Sequence, residues 1–91
     1  MRFSKLQKFI LITAFNKNAF IETENIYLKS TEVINQYFKF KNNAARASTS
    51  RAFRTLDSKK LVILYEAVFS NWVGIKLTPN GVETAKRLKS L

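Results

Sequence analysis

Residues 44–59 hold the side chains with the clearest chemical purpose: Arg46, Arg51, Arg54 and Lys59, interleaved with the hydroxyls of Ser48, Ser50, Thr55 and Ser58. A guanidinium can bridge two acceptors on a guanine edge or hold a phosphate. Short Ser and Thr side chains let a helix come close to whatever it grips. With Thr49 taken as inward, helical spacing puts Ala45, Ala52, Phe53 and Leu56 on one face. Ala47, Arg51, Arg54 and Ser58 then fall on the opposite face, flanked by Ser50 and Thr55, and Arg46 stands near the N-terminal end. A solvated basic face is the plainer reading. Such faces usually mix Lys with Glu four residues apart, and here the one acidic residue is Asp57.

The composition narrows the chemistry further. Sixteen Lys and Arg against six Asp and Glu give a formal charge of +10 over 91 residues, which suits a polyanionic partner. The chain contains neither Cys nor His. It therefore lacks thiolate and imidazole metal ligands, a Cys nucleophile and a His general base, and can form no disulfide. The six carboxylates show no telling spacing, so catalysis is not expected, and neither is a metal or cofactor. Residues 21–43 are electrically neutral and residues 44–60 net +4, so beyond the chain's start the positive charge concentrates around that one segment.

The elements needed to position it can be read in order. Ser4 with Gln7 has the pattern of a helix-opening capping box. Leu6, Phe9, Ile10, Thr13, Ala14 and Lys17 then follow helical spacing, and Leu11, Ile12 and Phe15 make the first helix apolar on more than one side. That surplus suggests a homodimer contact, with burial inside the monomer as the alternative. The basic, apolar start superficially imitates a signal peptide. No small-residue cleavage site follows, and the apolar run is too short to span a bilayer, so it is read as a core helix of a cytoplasmic protein. Ile26-Tyr27-Leu28 is β-like. Ser30 or Thr31 caps a second helix over residues 31–38 that buries Val33, Ile34 and Tyr37. Asn42 and Asn43 suit a turn and a cap before the third helix, residues 44–59.

Residues 61–69 and 72–77 read as a hairpin. A two-residue turn at Ser70-Asn71 would pair Phe69 with Trp72 and Tyr65 with Lys76. Val62, Leu64, Val68, Val73, Ile75 and Leu77 would face the core. Tyr65, Phe69 and Trp72 would form an aromatic cluster with no evident cover. Thr78-Pro79 opens a last helix with apolar Val82, Ala85 and Leu88, and Lys86, Arg87 and Lys89 suit its C-terminal dipole.

This order resembles the winged helix-turn-helix superfamily. Ser48-Thr49-Ser50-Arg51-Ala52-Phe53-Arg54-Thr55-Leu56 followed by Leu61-Val62 is similar to that superfamily's recognition-helix stretch, and Leu77-Thr78-Pro79-Asn80-Gly81 is similar to the wing-ending signature of MarR- and PadR-like regulators. The resemblance covers roughly residues 26–91. It implies a recognition helix lying in the major groove and a homodimer built from flanking helices. Three departures stand out. Lys60 occupies a position usually held by Gly, the turn before the third helix is about three residues longer than usual, and the wing carries only Glu66 and Lys76 as charges.

The expectation is thus an α+β, mainly α chain forming one domain over residues 1–91. It comprises a first helix and dimer contact in 1–20, a helix-turn-helix in 31–59, a two-stranded wing in 61–77 and a C-terminal helix in 79–90. The expected function is sequence-specific double-stranded DNA binding as a dimeric transcriptional regulator. Arg51 and Arg54 would read bases. Arg46, Ser48, Ser50, Thr55 and Lys59 would position the backbone, and Ser70 and Asn71 would add polar contacts from the wing. No membrane and no small-molecule effector is implied. A partition, replication or architectural DNA binder and a protein-interaction module are the competing readings.

Overall fold

The computed structural model describes residues 2–67, Phe69 and residues 71–91. Its helices begin where local chemistry permits. In α1 (Lys5–Lys17) the Ser4 hydroxyl accepts from the Gln7 amide at 3.1 Å while Gln7 Oε1 accepts from the Ser4 amide at 3.1 Å, completing the capping box. Asn18 closes that helix in the left-handed conformation at φ 63°. Strand β1 (Leu28–Lys29) leads directly into α2 (Ser30–Val33), which continues as a π-helical turn, Ile34–Phe38. The Ser30 or Thr31 cap expected for this helix is not made. Lys29 occupies the cap position without a side-chain bond, because the chain enters the helix straight from the strand.

The helix α3 (Asn43–Ser58) is followed by β2 (Val62–Ala67), β3 (Trp72–Leu77) and α4 (Pro79–Lys89). The three strands form one antiparallel sheet in the order β1-β3-β2, with Leu28 opposite Ile75. One further bridge, Phe20 to Leu77, and the bond from the Leu77 amide to the Ala19 carbonyl at 2.7 Å extend the pairing on that β3 edge to Leu77. Four helices and a three-stranded sheet make the winged-helix arrangement, mainly α, that the residue order implied.

The hairpin register departs from expectation. Ala67 pairs with Trp72 and Tyr65 with Gly74, so four residues, not two, separate the strands. The slip is by two positions along the ladder, and side chains alternate with period two, so each residue keeps its expected face. Val62, Ile75 and Leu77 are buried on the inner side as expected. The parts of that reading that rest on Val68 and Ser70 lie outside the described residues.

The aromatic face is covered, contrary to expectation. Tyr27 lies over the outer side of the sheet, its ring centroid 5.1 Å from that of Tyr65 and 5.1 Å from that of Trp72. Gly74 makes room for this: a Cβ there would stand 3.0 Å from the Trp72 ring and 3.3 Å from Tyr27 Cβ. The Lys76 ammonium tucks under the same cluster, 4.7 Å from the Tyr27 ring centroid, and donates to the Thr23 carbonyl. Lys76 is only 6% exposed, so one of the wing's two charges is withdrawn from its surface. Phe69 alone of the three aromatics stays fully exposed.

The core lies between the inner face of the sheet and the helices, with Ile10, Leu11, Ala14, Val33, Phe53 and Leu56 all but completely buried. The second apolar side of α1 finds partners within the chain: Leu6, Phe9 and Phe15 pack against this core, and α1 lies chiefly along α4. Lys89 bonds Asn16 Oδ1 at 2.7 Å and sits 5.0 Å from the Phe15 ring centroid, tying the two helices at one end. Among the described residues no helix is long and apolar enough to cross a membrane.

The end of α3 resolves the missing glycine. Lys60 takes the left-handed conformation itself, at φ 62°, while the Leu61 amide bonds the Leu56 carbonyl at 3.1 Å and the Lys60 amide bonds the Asp57 carbonyl at 2.9 Å. These are the two bonds of a Schellman cap. Lys60→Gly should therefore stabilise the fold, by roughly 0.5–1 kcal/mol once the flexibility of Gly in the unfolded chain is set against the relieved backbone. Gly81→Ala should do the opposite. Its Cβ would lie 2.0 Å from the Leu61 carbonyl oxygen, and a backbone neighbour cannot rotate away. We expect a loss of about 1–3 kcal/mol. Urea unfolding midpoints of the two variants check both signs.

Candidate nucleic-acid interface

The third helix starts at Asn42, whose side-chain oxygen accepts from the Ala45 amide at 2.7 Å. This is an N-cap that fixes where the helix starts. The inward face is as expected: Ala45, Thr49, Ala52, Phe53 and Leu56 are all buried. Thr49 is completely buried, yet its hydroxyl is satisfied, donating to the Ala45 carbonyl at 2.9 Å. A polar residue thus sits in the core without an orphaned group.

With that face inward, the opposite one must meet solvent. Arg46, Arg51 and Arg54 are exposed, as are Ala47 and Ser58, whereas Ser48, Ser50 and Thr55 are half-buried. None of these arginines joins an ion pair among the described residues, where Lys17 with Glu32 is the one such pair. From Arg46 to Arg54 the helix rises about 12 Å, close to the width of a B-DNA major groove.

The structure divides the expected site residues into three groups. Arg51 and Arg54 form the outward crest. Arg46 and Ser50 turn toward the wing, where they line a cleft of about 390 Å³ together with Asn71. On the far flank, about half a turn around the helix, come Ser48, Thr55 and Lys59. Lys59 is half-buried, and its ammonium lies 5.1 Å from the Phe3 ring centroid. Its stem is therefore held against the chain's start, as long cationic side chains often are, while the charge stays at the rim. Asn71 is left-handed at φ 57° and bonds back to the Ala67 carbonyl at 2.9 Å, fixing that side of the hairpin.

Three more residues line the cleft that sequence reasoning did not single out: Lys41, from the turn before α3, and Ser30 and Thr31, from the first turn of α2. The sequence predicts a turn about three residues longer than usual before α3, but only residues 39–42 separate Phe38 from Asn43, because the π-helical turn carries the second helix through Phe38. Nothing local points Ser30 and Thr31 toward residues twenty positions away.

Comparison with known proteins supports the fold at this point. No family model matches the chain, and no curated protein matches it. Among solved structures, a mutant of MepR from a multidrug-resistant S. aureus clinical isolate is similar over 97% of this chain and 56% of its own, with TM-score 0.71 and 17% identity. Lactococcus lactis ZitR, also as a mutant, is similar over 99% of this chain and 53% of its own, with TM-score 0.69 and 16% identity. MepR, a transcription regulator of the Staphylococcus aureus multidrug efflux pump MepA, gives TM-score 0.66 at 17% identity. The chain spans little more than half the length of these proteins. It shares their winged helix-turn-helix fold.

The cap at Asn42 gives a direct test of how α3 is set. Asn42→Ala should cost about 1 kcal/mol of stability, which for a chain this short lowers the thermal midpoint by roughly 4–8 °C. A thermal melt followed by circular dichroism reads it. An unchanged midpoint would mean that the helix start is fixed elsewhere.

Proposed function

We propose that this chain binds double-stranded DNA sequence-specifically as a transcriptional regulator in the cytoplasm, with α3 lying in the major groove. The observation that carries the reading is the uncommitted guanidinium crest of Arg51 and Arg54 on a helix whose other side is locked into the core. On this reading the two crest arginines read base edges. Arg46, Ser48, Ser50, Thr55, Lys59 and Asn71 hold the sugar-phosphate backbone on either side. The fold shared with MepR and ZitR supports the same assignment.

The reading includes a homodimer through α1, so that two copies of α3 address two half-sites. A 10.5 kDa chain should then add twice that mass to a palindromic duplex in sedimentation. A monomer on a single half-site would remove this part of the proposal. The competing module for protein interaction rested on the uncharged wing and on Tyr65, Phe69 and Trp72; Tyr27 covers Tyr65 and Trp72, Phe69 stays exposed, and the arginine crest of α3 argues against it. No feature favours a coating or partition role over a regulator.

Selection of bound sequences from a random duplex pool should yield a defined motif. Against that motif Arg54→Ala should lose about 1–3 kcal/mol and tolerate more bases at one position. Lys59→Ala should weaken all duplexes alike and lower the salt slope of log K by about 0.9 per bound protomer. If both variants bound the selected duplex like the parent, α3 would not be the reader.

A further inference from the structure

One departure noted in the sequence, the wing's lack of cations, bears on the cleft beside α3. The wing offers no cation at its surface, since Glu66 is acidic and Lys76 is buried under Tyr27. The four-residue turn before α3, residues 39–42, delivers Lys41 to the cleft between α2, α3 and the wing. There Lys41 joins Arg46, with the hydroxyls of Ser30, Thr31 and Ser50 and the amide of Asn71 around them. Every polar side chain of that lining can donate a hydrogen bond, and none of the lining residues is acidic.

Lys41 and Arg46 stand on separate elements, so nothing within the helix requires two positive charges to converge here. No carboxylate neutralises either of them among the described residues. Two cations and several hydroxyl donors in a recess open to solvent form a complement to a tetrahedral oxyanion. A recess beside the helix that meets the duplex is also where the backbone of the next strand would pass.

We propose that this cleft seats a backbone phosphate of the bound duplex, with Lys41 and Arg46 as the charge partners and Ser30, Thr31, Ser50 and Asn71 as hydrogen-bond donors. The inference rests on the DNA-binding reading given above and adds to it. Lys41 does from the helix-turn-helix what a basic residue on the wing would otherwise do. The wing then contributes shape and the Asn71 amide, and its charge is not needed.

The test compares salt dependence on one selected duplex and on unrelated duplexes. Lys41→Gln removes one charge from an exposed turn and should leave the fold intact. We expect the salt slope to fall by about 0.9 per bound protomer, so that between about 50 and about 200 mM salt each variant protomer costs about 3.5-fold less affinity than in the parent. The loss at low salt should be the same on every duplex, because a phosphate carries no sequence. Asn71→Asp is isosteric and tolerates the left-handed conformation. It places a carboxylate in the cleft and should weaken binding of all duplexes on the order of tenfold at low salt, as like charges meet. Lys86→Gln, on α4 outside the cleft, is the control for bulk charge.

A parent protein that binds no duplex overturns the DNA-binding function and this inference with it. A parent that binds, with the slope of Lys41→Gln unchanged or with Asn71→Asp binding as the parent does, overturns this inference alone. So does a slope change of equal size in Lys86→Gln, which would mean that only total charge matters.

Discussion

Leu61 is where the helix that carries the charges, the sheet and the last helix are joined, and each join uses its backbone. Its amide closes α3 by bonding the Leu56 carbonyl at 3.1 Å, and its carbonyl accepts from the Thr78 amide at 3.1 Å. The same carbonyl oxygen stands where only a glycine at position 81 can pass. Thr78 in turn donates its hydroxyl to the Lys60 carbonyl at 2.8 Å while accepting from the Gly81 amide at 3.1 Å. The Thr-Pro-x-Gly sequence is thus more than a helix start. It is a clamp that sets α4 against the exit of α3, and α3 cannot rotate about its axis without breaking it.

That fixed rotation gives the charges their meaning. A basic helix free to turn would present an averaged face, and its arginines would find carboxylates nearby. Here Phe53 and Leu56 occupy the core, Thr49 is satisfied within the helix, and the arginines have only solvent before them. Placing charge far from its counter-charges raises the self-repulsion of the folded chain. A polyanion would relieve it. Lys76 shows the other treatment of a cation in the same molecule. It is taken from water but surrounded by two aromatic faces and a carbonyl, and it braces the wing instead of reaching a ligand.

How much of this was legible from sequence follows from how local each determinant is. The helix starts at Ser4, Asn42 and Thr78 were readable because a cap involves residues three apart. The faces of α3 were readable because Thr49 fixed a phase and the helical period did the rest. The hairpin register was not, since the choice between a two-residue and a four-residue loop depends on a left-handed Asn71 that the sequence permits without requiring. Period-two alternation protected the face assignment from that error. The cover on the aromatic cluster was hidden as well. The β-like character of residues 26–28 is local, but the pairing of Leu28 with Ile75 that carries Tyr27 over the sheet is not. The cleft was least legible of all, because it gathers residues from α2, the following turn, α3 and the wing.

The same distinction explains how the fold can be shared at 16–17% identity with MepR and ZitR. What the arrangement demands is a short set of positions: a cap before α3, a small or satisfied residue at its centre, a left-handed exit, and a glycine beside Leu61. Even the left-handed exit tolerates a lysine when two backbone bonds hold it, as Lys60 shows. The surface between those positions is unconstrained by folding. It can place a charge in a turn or strip a wing of charge without disturbing the core. Because the turn before α3 and the wing face each other across one cleft, a charge lost from one side of it can be supplied from the other.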